Sequence, residues 1–154
     1  MSETKYFPTV EAIEKATQVL DEILEPTPFQ RNANLSDIYG ADVYLKREDL
    51  QMVRSYKIRG AYNMIRSLSA ESLKNGIVCA SAGNHAQGVA LSAKKLGIKA
   101  TIVMPVTTPE IKVNAVKSFG ASAVLHGDGY SDAAEEAARL VKEKKLTFIP
   151  PYDD

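Results

Sequence analysis

The chain has no net charge to offer a partner. Its nineteen basic side chains balance nineteen acidic ones, so no overall field draws it to nucleic acid or to an anionic membrane. No apolar run approaches the roughly 20 residues of a membrane span, and the N-terminal MSETKYFPTVEAIEKA lacks the apolar core of a signal peptide. A single cysteine, Cys79, excludes an intramolecular disulfide and fits a reducing, cytoplasmic setting. The two histidines, His85 and His126, have no second ligand at metal spacing, so no metal site is expected. No GxxxxGK[ST] segment exists, which removes the usual nucleoside-triphosphate loop. Low-complexity tracts are absent too. With 45% hydrophobic and 25% charged residues, the 154-residue chain has the composition of one ordinary globular domain.

What is present is alternation. Residues 10–24 carry apolar groups at Val10, Ile13, Ala16, Thr17, Leu20 and Leu24, the stripe of a packing helix with Thr9 as its cap and Pro26 and Pro28 as its stop. Residues 42–46 read as a short strand and residues 57–68 as a helix. Four short apolar runs follow, at 77–80, 101–104, 122–126 and 147–149, separated by helix-length segments at 84–96, 109–119 and 131–145. Thr108-Pro109-Glu110 reads as a capped helix start, and Gly97 and Gly120 as helix ends. From these helices Ala90, Val113, Val116, Ala137 and Val141 are expected to cover the strands. The fold class is therefore α/β, an open parallel sheet with helices on both faces and an N-terminal helical segment.

Three segments suggest chemistry. Residues 81–85 (SAGNH) end one strand and open a helix, where an open α/β sheet gathers its ligands. Gly83 allows close backbone approach, and the helix start offers unpaired N–H groups to an anion. Spacing alone leaves equal room for a turn with no ligand. Gly127-Asp128-Gly129 faintly resembles a dinucleotide fingerprint, but Asp132 stands where its third glycine belongs, which favours a plain turn. Lys57, in SYKIRGA, opens a helix beside an aromatic ring, a partner cation (Arg59) and a glycine, surroundings that suit a nucleophilic amine. Cys79, within an apolar strand, reads as a buried small residue.

KREDLQMVRSYKIRGAYN (46–63) and SAGNHAQGVA (81–90), in this order and at this separation, resemble the biosynthetic threonine deaminase family, which belongs to the tryptophan-synthase-β fold type of pyridoxal-phosphate enzymes. The resemblance runs from about Pro26 to the last residue. Arg54 before Ser55 fits the biosynthetic branch; the catabolic deaminases and serine racemases typically carry a Thr-Gly pair there.

The resemblance implies that Lys57 holds pyridoxal 5'-phosphate and then takes the substrate α-proton. Ser81, Ala82, Gly83, Asn84 and His85 would cradle the substrate carboxylate. Asn84 would also hydrogen-bond the cofactor's 3′-oxygen, and Tyr56, where many relatives have Phe, would pack near the cofactor. The implied reaction converts L-threonine to 2-oxobutyrate and ammonia, in isoleucine biosynthesis. In domain terms, residues 1–50 would belong to an incomplete large domain, residues 51–149 to the small α/β domain, and residues 150–154 to a truncated return. The family's glycine-rich phosphate loop would lie beyond Asp154. The expectation is thus an N-terminal fragment, inactive alone, that self-associates as a homo-oligomer to cover apolar surface. The competing readings are a serine dehydratase or racemase, a non-catalytic binding or assembly module, and an unrelated nucleotide-binding domain resting on the GDG turn alone.

Overall fold

The computed structural model describes residues 7–152; the ends of the expected segments 1–50 and 150–154 lie outside the described residues. Helix α1 (Val10–Leu20) starts at Thr9, whose hydroxyl accepts the Ala12 N–H at 3.2 Å. Strand β1 (Phe29–Arg31) and strand β2 (Tyr44–Lys46) form an antiparallel hairpin around helix α2 (Ala33–Tyr39). A 3₁₀ turn (Glu48–Leu50) leads to helix α3 (Lys57–Ser67) and the single turn α4 (Ala70–Leu73). Then come β3 (Ile77–Ala80), α5 (Asn84–Leu96), β4 (Ala100–Met104), α6 (Glu110–Ser118), β5 (Ser122–Leu125), α7 (Tyr130–Lys144) and β6 (Thr147–Phe148).

The four later strands make one parallel sheet in the order β5-β4-β3-β6. Side chains alternate across it, as the period of a strand requires. Ile77, Cys79, Ile102 and Met104 face α3, α5 and α6 and pack with Ile65, Val89, Val113 and Val116. Val78, Ala80 and Val103 face the other way, against Ala133, Ala137 and Leu140 of α7. Both faces are therefore covered, which is why β3 and β4 read as continuous apolar runs. Of the expected covering residues, Ala90, Val113, Val116 and Ala137 are buried, while Val141 is only partly so.

The chain steps outward from β3 to β4 to β5, then returns so that β6 pairs on the opposite side of β3. The strand order therefore reverses at β3, the topological switch point of the sheet, and the segment after β6 meets the start of α5 there, Ile149 lying against His85.

Two sequence readings need correction. The stripe of α1 does not face a core: Val10 and Ile13 are 66% and 55% exposed, and only the helix's C-terminal end packs, with Leu20, Ile23 and Leu24 meeting Val53, Ile58 and Leu91. Thr108 does not cap α6. Pro109, extended at ψ 138°, takes the cap position, and the Thr108 hydroxyl is left buried without a protein partner. Gly120 ends α6 as expected, in the left-handed region at φ 86° one residue past Phe119.

Backbone strain appears at Arg54, just before α3, with φ 57°. An L side chain in that region costs about 1–2 kcal/mol, part of which glycine would return as unfolded-state entropy. Arg54→Gly should therefore raise stability by about 0.5–1 kcal/mol in urea unfolding. An unchanged or lower midpoint would show that the Arg54 side chain holds this turn in place.

Candidate functional site

Lys57 opens α3 with its side chain half-buried in a cleft of about 410 Å³. That cleft lies beside the switch point, because residues 149–152, which follow β6, form one of its walls. The Lys57 ammonium donates to the Pro151 carbonyl at 2.9 Å. Its Nζ lies 5.6 Å from the ring centres of both Tyr56 and Tyr152, within cation–π range. Two prolines keep that wall extended and leave its carbonyls free of any local ladder.

His85 lines the same cleft and is buried, with Nε2 3.2 Å from the Ile149 carbonyl. A carbonyl can only accept, so Nε2 carries the proton and Nδ1 is the free acceptor. Burial pushes the His85 pKa below its ordinary value, and the Lys57 charge acts in the same direction against the weaker pull of the Ile149 bond. The imidazole is therefore neutral at physiological pH.

Between β3 and α5, Ser81, Ala82 and Gly83 are half-buried and Asn84 is exposed. The Ser81 hydroxyl accepts the Gly83 N–H at 3.2 Å, which tightens the turn. Gly83 provides no side-chain cap. The amides of Asn84, His85 and Ala86 at the start of this 13-residue helix thus have no intrahelical acceptor and sit at its positive end. A Cβ on Gly83 would meet nothing within 4 Å, so the approach to these amides is open.

Of the residues named from the sequence, Tyr56, Lys57 and His85 line one cleft. Ser81, Ala82, Gly83 and Asn84 form the adjoining loop at the C-terminal end of β3 and do not line the cleft itself. One neighbour is reassigned. Arg59 is not the partner cation of Lys57, because it makes a two-pronged pair with Glu48, at 2.8 Å for each nitrogen. Glu48 also accepts from the Thr27 hydroxyl at 2.5 Å. The segment Ile149–Tyr152 was missed as a wall of the site. Its only trace in the sequence is the proline pair.

The second glycine turn is closed from within. Gly127 has φ 67°, and the Asp132 carboxylate accepts the Asp128 and Gly129 N–H groups at 2.8 and 3.1 Å. Those amides are not available to a phosphate, which leaves the plain turn. Cys79 is fully buried and burial pushes its thiol pKa up, as befits a packing residue. Among the described residues no group of three or more His, Cys, Asp or Glu side chains could hold a metal ion, and no helix is long and apolar enough to cross a membrane.

The cleft fits part of pyridoxal phosphate on this geometry. An amine, an aromatic ring and free helix-start amides suit its carbonyl end, its ring and a substrate carboxylate. The described residues do not supply a phosphate cradle, since Asp132 fills the one other glycine turn at this end of the sheet.

Comparison with known proteins points the same way. Residues 20–154 match the family described as pyridoxal-phosphate dependent enzyme. The chain is 53% identical over 144 residues to the biosynthetic L-threonine dehydratase of Haemophilus influenzae, a match covering 94% of this chain and 28% of that protein. Among solved structures, the processed threonine deaminase isoform 2 of Solanum lycopersicum superposes with a TM-score of 0.81 at 45% identity, covering 92% of this chain and 41% of that one. Maize serine racemase superposes at 0.91 with 31% identity, covering 97% and 45%. The chain spans about a quarter of the length of the curated relatives it matches.

Proposed function

The chain belongs to the pyridoxal-phosphate dependent enzymes, and from that premise we propose that it supplies the lysine and carboxylate-binding part of an L-threonine dehydratase. The observation that carries the reading is that a half-buried amine, Lys57, shares its cleft with His85 of the first turn of α5, whose open head adjoins that cleft. The relatives' names support threonine as the substrate.

Lys57 would hold the cofactor and Tyr56 would pack near its ring, while Asn84 would hydrogen-bond its 3′-oxygen. When bound, the cofactor supplies an electron sink for the charge left at the substrate α-carbon. The turn Ser81–Gly83 and the free amides of Asn84 and His85 would bind the substrate carboxylate and so fix which α-bond faces Lys57. The Lys57 amine would then take the α-proton. Loss of the β-hydroxyl and hydrolysis give 2-oxobutyrate and ammonia. His85 contributes its main-chain amide, while its neutral ring ties α5 to the wall at Ile149. It adds no second positive charge beside Lys57.

In this reading residues 51–149 act as the small domain. The phosphate would be held by the part of the relatives' length that this chain does not span. Self-association and a cytoplasmic location belong to the same reading, the latter supported by the buried, unpaired Cys79.

The test is a chimera in which this chain replaces the matching segment of the Haemophilus influenzae relative. The chimera should form 2-oxobutyrate from threonine with saturation. The 154-residue chain alone, given excess pyridoxal phosphate, should not. A folded but inactive chimera, or one that turns over serine in preference, would overturn the substrate assignment. Saturable turnover by the isolated chain would mean that the phosphate is held by residues described above.

A further inference from the structure

Glycine in the interior of a buried helix is a poor choice for that helix, because alanine loses less backbone entropy on folding. Helix α5 nevertheless carries Gly88 between Ala86, Ala90 and Ala93, all of them buried with their methyl groups accommodated. What differs at position 88 is the neighbour. A Cβ there would stand 3.0 Å from the Lys57 carbonyl oxygen, 3.1 Å from the Lys57 carbonyl carbon and 3.3 Å from the Ile58 nitrogen. All three are backbone atoms of the first turn of α3. A backbone peptide cannot swing aside as a side chain would. By contrast, Gly60, one turn along α3, would place its Cβ in open space.

Which helix would give way follows from burial. Helix α5 is packed into the sheet, and the buried Ser92 hydroxyl bonds the Gly88 carbonyl at 2.7 Å. The start of α3 is the less buried of the two, with Tyr56 and Gly60 exposed on either side of Lys57 although Ile58 is buried. A methyl group at 88 would therefore move the Lys57 peptide by a few tenths of an ångström. Its amine, at the far end of a long side chain tethered to Pro151, would move with it.

We propose that Gly88 is a positioning residue for Lys57: by leaving out one methyl group it lets the Lys57 peptide lie directly on α5, and this sets where the amine stands in the cleft. The inference rests on the reading of Lys57 as the cofactor lysine. It does not depend on which amino acid is the substrate.

The test uses the chimera described above, in which the rest of the relative's length completes the cofactor site, and needs no turnover. Limiting pyridoxal phosphate with cyanoborohydride labels accessible amines irreversibly, and peptide mapping gives the ratio of label on Lys57 to label on the exposed Lys15. In the unaltered chimera this ratio should be well above one. Gly88→Ala should lower it roughly three- to tenfold, the scale of a small misplacement at a reacting group. Helical circular dichroism should stay unchanged, because alanine's better helix propensity offsets the tight contact. Val89→Ala, which opens space elsewhere on the same buried helix, should lower the thermal midpoint without changing the ratio.

If Lys57 is labelled no better than Lys15 in the unaltered chimera, the Lys57 reading itself fails. A high ratio that survives Gly88→Ala overturns only the positioning role, as does an equal drop in Val89→Ala. A Gly88→Ala chimera that does not fold also overturns it, since the glycine would then be a folding requirement.

Discussion

Lys57→Ala should lower threonine turnover in the chimera by about 10²–10⁴-fold, the range expected when a positioned acid–base group is lost. Among the described residues, Lys57 is the only lysine lining the cleft at the switch point, and its Nζ is held at a defined place by the Pro151 carbonyl and two aromatic rings. No other side chain of that cleft can both hold the cofactor and take a proton from the substrate α-carbon. His85 is buried and donates to Ile149. The fold should be nearly indifferent to the change, because Lys57 contributes one half-buried hydrogen bond, worth about 1 kcal/mol. Steady-state assay of 2-oxobutyrate beside a urea titration separates the two effects. Activity within tenfold of the parent would remove Lys57 from the mechanism.

The second large effect concerns stability and pH. Glu48 joins three elements immediately before the site: Arg59 of α3 by two hydrogen bonds, Thr27 before the hairpin, and its own 3₁₀ turn. The Arg59 guanidinium, more than any other group, holds its carboxyl down at about 2 from an ordinary 4.5, against the opposing effect of burial. A carboxylate with a depressed folded-state value stabilises the fold above its unfolded value. That stability is lost as pH falls from about 4.5 toward 2. The gap between the two values corresponds to about 3 kcal/mol at neutral pH. Glu48→Ala should cost a similar amount, about 3 kcal/mol, because it also leaves Arg59 half-buried without its partner. For a chain of this size that is a fall in Tm of roughly 6–12 °C. The variant should also lose most of the parent's decline in stability below pH 4.5. Equal acid sensitivity in parent and variant would assign that decline to other carboxylates.

The later half of the fold was legible because its signals are local. Ile77–Ala80 and Asn84–Leu96 stand in the structure with the bounds that the apolar run and the flanking glycine suggested. In the earlier half the helix capped by Thr9, the strand before Lys46 and the helix from Lys57 were legible, but residues 29–39 were not. Strand β1 is exposed at every residue and α2 buries only Ser36, so neither carries a periodic pattern. Strand β1 pairs with β2 through register and through the stacking of Phe29 on Tyr44, ring centres 5.2 Å apart. The site divides in the same way. Lys57 and the turn at 81–85 announce themselves by residue type and place. The wall at 149–152 does not, because it acts through carbonyl oxygens on partners 94 and 64 positions away. Gly88 was equally silent, since its effect lies in an atom it lacks.

The closed turn at Gly127–Gly129 has a consequence for where anions can settle. Because the strands are parallel, α5 and α7 present their positive heads at one end of the same sheet. By glycine content the two heads are near equivalents, and by dipole an incoming carboxylate has little reason to prefer one. Yet α7 brings its own counter-anion, three residues into the helix, and tethers it over its own amides. A tethered carboxylate competes at a local concentration that no dissolved metabolite matches. Of these two heads the molecule thus leaves only that of α5 open, and the difference between them comes down to the side chain at Asp132.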